Sequence, residues 1–363
     1  MTDAQRLAAT TLELVRIPSV SRQEDAVLRS IRERMDAAPD VRLIDDRDGV
    51  LAYLPTALRP DVPIVLLAGH VDTVPVGGAT PEPRDEDGAI VGRGAADMKG
   101  GLAVMLALAQ RPIGSGLDVG FVFFAREEIS IAESALGPLL ARSEELRSAR
   151  LAIVLEPTAN TLQLGCVGNL NATVTVRGRA AHAARPWTGD NAIHRTIRAL
   201  AGLADLPVRE AVVDGLTFRE VASVATIAGG TAANVVPDRV TADVNLRYAP
   251  STTPEEAEAW LRDVVRGEHV EVENVGNAPS GRVDLRNHLV DRLRIAGDLA
   301  VEPKQAWTPV AEFGIAGVDA VNFGPGDPRY AHTDEERIDV RALVRAHEVL
   351  TAFLAEPTTR GGR

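Results

Sequence analysis

The stretch PIVLLAGHVDTVP, residues 63–75, is an unbroken apolar run that ends in His70, Val71 and Asp72. A run this short, apolar on both faces, reads as a strand buried on both sides, the habit of parallel sheets covered by helices. Outward from it the pattern recurs. AIV (89–91) leads through Gly92-Arg93-Gly94-Ala95-Ala96 to Asp97, and DVGFVFFA (118–125) runs into Arg126-Glu127-Glu128. LAIVL (151–155) ends in Glu156, and VDAVNFG (318–324) continues through a Gly/Pro loop to His332. Acids and histidines therefore collect at the carboxyl ends of strands, where open α/β sheets place their sites.

Helical spacing separates these strands. It is read over 3–16, where Pro18 ends the run, and over 24–35; residues 100–110 are apolar nearly all round and need cover on every side. VRLI (41–44) and GVLAYL (49–54) add strands. The expected class is α/β, with a mixed, mostly parallel sheet and helices on both faces. The middle differs. NATVTVRG (171–178) alternates with period two, a helix follows near 190–204, and strands at 219–230 and 238–248 are joined through a turn with Asn234 and Pro237. A helix opens on Thr-Pro-Glu-Glu at 253–256, and VEVENV (270–275) closes the series. That order, βαββαβ, is ferredoxin-like. It predicts an inserted domain over 168–281, with 1–167 and 282–363 forming the first domain and NAPSG (277–281) the return linker. Helices near 286–297 and 338–355 flank the 318–324 strand, and the terminal TTRGGR is expected to fray.

Composition narrows the function. The chain has 363 residues, 45% hydrophobic and 25% charged, which is globular composition. Its 39 Lys and Arg against 51 Asp and Glu give a net charge of −12, which argues against nucleic acid or an anionic membrane as partner. A single cysteine, Cys166, excludes an internal disulfide framework and fits a reducing compartment. MTDAQRLAAT has no apolar core of a secretory signal, and runs such as LAVMLALA (102–109) are too short to span a bilayer. A soluble, cytoplasmic protein is the expectation.

Packed carboxylates repel, and their pKa values rise unless a cation compensates them. Imidazole with carboxylate is a ligand set for zinc, cobalt or manganese and less suited to calcium. Five such ligands exceed what one catalytic zinc with an open position takes; they suit two metals roughly 3.5–4 Å apart sharing a carboxylate. Asp72, two residues after His70, falls on the same side of an extended backbone and is expected to orient the His70 ring. Glu127 and Glu128 point apart, leaving one free as a base. Taken singly, each has a plainer reading: a packed loop histidine at 70, a turn cap at 72, a helix cap at 97, a solvated helix start at 127–128. Glu156, directly after five apolar residues, needs a partner. GRGAAD (92–97) invites a dinucleotide reading, but Asp97 replaces the third glycine and would repel a pyrophosphate.

These motifs together (GHVDTVP at 69–75, GRGAADMKGG at 92–101, Glu127-Glu128 and Glu156-Pro157) resemble the di-zinc aminoacylase and carboxypeptidase-G type metallohydrolases. Within them the chain is most similar to the succinyl-diaminopimelate desuccinylases of actinobacterial type, through LEPTANTLQLGCVGNL (155–170), AHAARPWTGDNAIH (181–194) and VNFGPGDPRYAH (321–332). The resemblance implies two divalent metal ions per chain, zinc or else cobalt. Asp97 would bridge them, with His70 and Glu156 completing one site and Glu128 and His332 the other. It implies Glu127 as general acid/base, Asp72 as support for His70, and a cis peptide at Asp97–Met98. The inserted domain would be a lid and the homodimer surface. His182 would polarise the scissile carbonyl, often across the dimer; Asn234 and Arg247 would hold the substrate carboxylate; Thr308 and Gly324 match loop positions near the substrate. Arg185 and Arg247 are equally read as solvated charges, but an acidic protein with a small anionic N-acyl amino acid substrate needs local cations.

The implied reaction is hydrolysis of N-succinyl-LL-2,6-diaminopimelate to succinate and LL-2,6-diaminopimelate, for lysine and cell-wall synthesis. An acetylornithine deacetylase, another N-acyl-amino-acid deacylase and a dipeptidase are the enzymatic alternatives. A non-catalytic binding relative would be marked by loss of Glu127 or of a ligand, and none is lost. One segment departs from the pattern. Pro309 stands where relatives usually carry Asp, and Glu312 where they often carry Arg; a carboxylate at 312 is expected to disfavour a nearby anionic group.

Overall fold

The computed structural model describes residues 1–77, 82–111 and 116–355; the terminal TTRGGR lies outside them. The chain divides into two compact units. One comprises Met1–Gly165, Asp284–Glu302 and Thr308–Arg363; the other comprises Cys166–Val283 and Pro303–Trp307.

In the first unit the 63–75 stretch is the axis of an eight-stranded sheet. Ile64–His70 lies parallel between Asp118–Phe124 and Leu151–Val154, and Ala320–Asn322 continues the parallel part. Val50–Pro55 with Val41–Asp45 on one flank, and Leu162–Leu164 on the other, run antiparallel. Every residue of the three central strands is buried. Because successive side chains face opposite ways, both faces of the sheet must be covered. A buried Leu or Phe contributes roughly 1.5–3 kcal/mol, so these apolar runs fix the register that places the strand ends. In that register His70 stands beside Phe124, the Val71 amide bonds the Phe124 carbonyl at 2.9 Å, and the Leu155 amide bonds the Ala68 carbonyl at 2.9 Å. Residues 70–72, 126–128 and 156 leave the sheet side by side.

Helices Asp3–Val15, Gly100–Ala109, His288–Gly297 and Val340–Ala355 pack together. The first is closed by a capping box of Thr2 and Gln5, and Gly100–Ala109 is buried at nine of its positions, as its all-round apolar pattern requires. No helix among the described residues is long and apolar enough to cross a membrane.

The second unit is a five-stranded antiparallel sheet in the order Arg209–Val213, Leu216–Gly229, Arg239–Tyr248, Gly168–Arg177, Val270–Ala278. Its last four strands keep the ferredoxin-like order. Helices Ala192–Ala204 and Pro254–Val264 close one face over a core that includes Leu170, Val174, Val244, Leu200 and Leu261. Thr253 caps the second helix with Glu256, the start signal read from Thr-Pro-Glu-Glu. The Arg209–Val213 strand was not anticipated, although its hairpin signal is present: Asp214 and Gly215 take φ of 48° and 82°, as a type I′ turn demands.

Two further differences bear on the site. The 338–355 helix begins at Val340, and Arg337–Asp339 instead forms a strand against Ala89–Val91. Three residues are too few for periodicity to register. Glu312, expected to trouble an anionic substrate, is buried. Its carboxylate accepts the Ser134 hydroxyl at 3.0 Å and the Gly137 amide at 2.9 Å, tying helix Val310–Ile315 to Leu136–Arg142.

Burial raises the Glu312 acid to about 7, against the two hydrogen bonds that favour its charge. An acid with a raised folded pKa contributes stability that is fully present below about 4.5 and is lost as pH rises through about 7. Wild type should therefore lose stability relative to Glu312→Gln between pH 5 and 8.5, by up to the order of 3 kcal/mol. Thermal unfolding of both proteins across that range measures it; parallel curves would exclude a buried proton at Glu312.

Candidate metal centre

Asp97 is the centre of the cluster. It follows Gly94, which takes φ 81°, in a short stretch where Asp97 and Met98 leave helical geometry before helix Gly100–Ala109 begins; the Asp97–Met98 peptide is cis. Its Oδ1 lies 3.0 Å from His70 Nε2 and its Oδ2 3.4 Å from His332 Nε2. Glu156 Oε1 is 3.8 Å from the same His70 nitrogen, and Glu128 Oε1 is 3.0 Å from His332 Nε2. Three groups of donors, each with atoms within 4.8 Å of one another, result: His70-Asp97-Glu156, Asp97-Glu128-His332 and His70-Glu127-Glu128. The Asp97 carboxylate belongs to the first two. Its helix-capping alternative is not what the side chain does.

The His70 ring is oriented differently from expectation. Its Nδ1 faces the Asp72 backbone carbonyl at 3.0 Å, while the Asp72 carboxylate is 3.6 Å away, too far for a good hydrogen bond. The strand ends at His70, so the alternation that would put both side chains on one side does not extend to 72. With a proton on Nδ1, a neutral ring turns its Nε2 lone pair towards Asp97 and Glu156. The Asp72 carboxylate, within ion-pair reach of His70, makes its close hydrogen bonds elsewhere. Its two oxygens accept the amides of Glu127 at 3.0 Å and Glu128 at 3.1 Å, and the Ser21 hydroxyl at 2.8 Å. Asp72 thus fixes the loop that carries both glutamates. Spacing alone had no means to show that target, nor to single out Ser21.

Charge crowding sets the electrostatics. Burial, reinforced by Glu156, Glu128 and Asp97, pushes Glu127 well above the usual carboxylate range against the pull of His70. Burial also raises Glu128, against its bond to His332. Burial opposes ionising Asp97 too, but hydrogen bonds from His332 and His70 bring it below its usual value. Bonds to Asp97 and Glu128 lift His332 to about 10, and His70, despite burial, is raised by Asp72 and Asp97. Two imidazoles and a set of carboxylates, drawn together where burial disfavours their charge, are a donor set suited to divalent cations of the zinc and cobalt kind.

Thr308 and Gly324 also lie in the first unit, both buried. A Cβ on Gly324 would meet the Leu155 carbonyl at 2.3 Å, so glycine there allows close packing on the strand end that delivers Glu156. His182, Arg185, Asn234 and Arg247 belong to the second unit. Ala181–His182 pairs with Val235–Val236, and the Ala183 amide bonds the Asn234 carbonyl at 2.9 Å, so His182 and Asn234 share one short ribbon. His182 and Arg185 are exposed beside Trp187, and the Ala184 amide donates to His182 Nδ1 at 3.0 Å. Arg247 lies on Arg239–Tyr248 with its Nε on the Asn245 side chain.

Comparison with known proteins gives a consistent family. The model of peptidase family M20/M25/M40 matches residues 66–356. A Mycobacterium tuberculosis protein, provisionally assigned as succinyl-diaminopimelate desuccinylase DapE, is 39% identical over 345 residues, covering 95% of this chain and 96% of the relative. The Corynebacterium glutamicum succinyl-diaminopimelate desuccinylase is 34% identical over 358 residues, covering 95% of each. Among solved structures, an M20 family metallo-carboxypeptidase from Sulfolobus solfataricus superposes with a TM-score of 0.79 at 18% identity, covering 98% of this chain and 99% of that one.

Removing the Asp72 carboxylate should loosen Glu128 without touching a donor atom. Chelator-stripped Asp72→Ala is expected to take up cobalt(II) about 10–100-fold more weakly than wild type. Calorimetric titration checks this; equal affinities would show that the anchored amides do not matter to the centre.

Proposed function

This chain belongs to the M20/M25/M40 peptidase family, metal-dependent hydrolases of amide bonds, and from that premise we propose that it removes the succinyl group from N-succinyl-LL-2,6-diaminopimelate, releasing succinate and LL-2,6-diaminopimelate. The observation that carries the chemistry is the Asp97 carboxylate shared between two groups of donors. The substrate is supported by two relatives of that name matched over 95% of the chain.

In this reading His70, Asp97 and Glu156 would hold one divalent ion and Asp97, Glu128 and His332 a second, zinc or else cobalt. When bound, such ions supply Lewis acidity, lowering the pKa of water towards neutral and polarising the acyl carbonyl. Glu127 is the base: its backbone is fixed by Asp72, and its half-buried, crowded carboxylate holds a proton more readily than an exposed glutamate. It takes the proton of the attacking water and returns it to the leaving amine. His182 accepts the Ala184 amide on Nδ1, which leaves Nε2 as the N–H donor suited to the developing oxyanion. Asn234, Arg185 and Arg247 supply an amide and two cations for the substrate's carboxylates, with Thr308 and Gly324 shaping the neighbouring loops. Glu312 is engaged by Ser134 and Gly137 and offers no free carboxylate against them.

The second unit is proposed to act as lid and homodimer surface. Among the described residues, Val221–Gly229 has a strand partner on one side only, and Val221, Val224 and Ile227 are exposed along it. An edge of this kind is a template for a second copy.

A hydrolysis panel with zinc or cobalt present decides the substrate. Turnover of succinyl-diaminopimelate well above that of acetylornithine and of dipeptides is expected; clear turnover of acetylornithine with none of the first would replace the assignment. Glu127→Gln should lower kcat by about 10²–10⁴-fold while its metal content matches wild type, and chelation of wild type should abolish turnover. A variant as active as wild type would remove Glu127 from the reaction.

A further inference from the structure

Glu336 is a buried carboxylate with no part in the chemistry above, 1% exposed and four residues beyond His332. Its backbone carbonyl and both carboxylate oxygens face one short stretch of chain. Its backbone carbonyl accepts the Gly92 amide at 2.9 Å, and its Oε2 accepts Arg93 Nη1 at 2.9 Å. Its Oε1 accepts the Ala96 amide at 3.2 Å and the Asp97 amide at 3.1 Å. Arg93 is itself buried, 8% exposed.

The stretch it grips is irregular. Between Gly94 and helix Gly100–Ala109 the backbone at Asp97 has φ −125° and ψ 96°, and the Asp97 amide joins no regular ladder. A buried N–H without a partner is costly, so something must satisfy it. A carboxylate accepting two amides at once, with its own charge met by a buried guanidinium, is a strong and directional solution. The strand Arg337–Asp339, paired with Ala89–Val91, fixes the other end of the grip.

We propose that Glu336 is a positioning residue for the metal centre. It locks the 92–97 stretch so that the Asp97 carboxylate stands between His70 and His332. Because His332 and Glu336 lie on one five-residue segment, the same clamp sets the spacing between the His332 ring and Asp97. The inference rests on the reading of Asp97, Glu128 and His332 as metal ligands.

Chelator-stripped wild type, Glu336→Ala, Glu336→Gln and Glu336→Asp are titrated with cobalt(II) and followed by visible absorption, with amide hydrogen exchange of residues 92–99 recorded before cobalt is added. Glu336→Ala should bind cobalt about 10–100-fold more weakly, give an altered absorption band, and expose the Ala96 and Asp97 amides to faster exchange. In the cobalt-loaded form its kcat should fall while KM stays within about twofold, since the substrate's own contacts are untouched. Glu336→Gln keeps an oxygen acceptor for the two amides and should recover most of the affinity. Glu336→Asp keeps the charge but draws it back from the amides, and should resemble alanine; it also decides the matter if Glu336→Ala does not fold. Wild-type cobalt affinity and absorption in Glu336→Asp, or unchanged exchange at Ala96 and Asp97 in Glu336→Ala, would overturn the clamp. A wild type that takes up no cobalt would overturn the metal centre itself, and the clamp with it.

Discussion

Like charges brought together out of water are the constraint around which the first unit is organised. Glu127, Glu128 and Glu156 follow strands whose own residues are wholly buried, and Asp97 meets them from the irregular stretch before helix Gly100–Ala109. Two unit charges about 4 Å apart repel by about 4 kcal/mol at the effective dielectric of a partly solvated site. A handful of such pairs, left uncompensated, would consume the 5–15 kcal/mol of stability typical of a folded domain. The chain's internal answer is visible in its imidazoles, which are drawn to the carboxylates and hold protons more strongly than free histidine. Divalent cations are the stronger answer, because each places two charges where a histidine places at most one.

Two other carboxylates beside this cluster do different work. Asp72 and Glu336 each face backbone amides: those of Glu127 and Glu128 in one case, of Ala96 and Asp97 in the other. The reason lies in where the site is. At the carboxyl ends of strands the ladder stops, and amides of the departing chain lose their partners. A carboxylate can satisfy two of them and hold the backbone still at the same time. The donors are thereby supported through main-chain contacts, so their side chains stay free to face one another. Glu312 follows the same rule further off, joining two helices through a hydroxyl and an amide.

That rule marks the boundary of what the sequence alone could say. His70, Glu127, Glu128 and Glu156 were legible because each follows an uninterrupted apolar run, and parallel register converts that one-dimensional coincidence into proximity. Asp97 follows Ala89–Val91, which lies in a separate antiparallel three-stranded sheet, and His332 lies in a loop, so their arrival depends on those segments instead. The ferredoxin-like order was legible because Gly168–Arg177 and Arg239–Tyr248 alternate cleanly between buried and less buried residues. The target of the Asp72 carboxylate was not, since it depends on how the chain turns after His70. Glu336 lies in a polar stretch of Asp and Glu, and only the three-residue pairing of Arg337–Asp339 carries it inside. Glu312 was misjudged for a related reason: substitution relative to a family pattern shows which charge changed, and only packing shows which way it faces.

The two kinds of residue in the proposed reaction are therefore fixed by different physics. The positions of His70, Glu127, Glu128 and Glu156 follow from register in a buried sheet, where a slip of one residue would turn the apolar runs and everything after them. His182 and Arg185 sit on an exposed ribbon and turn, held by a few backbone bonds: the Ala183 amide on Asn234, the Ala184 amide on the His182 ring, the Arg185 amide on the His182 carbonyl. Such a turn tolerates exchange of its exposed side chains without disturbing the fold. A relative sharing a third of its residues is thus strong support for the hydrolytic chemistry, which rests on the sheet. The substrate's own contacts rest on the turn, where exchange of a few exposed side chains is enough to change which N-acyl amino acid is held.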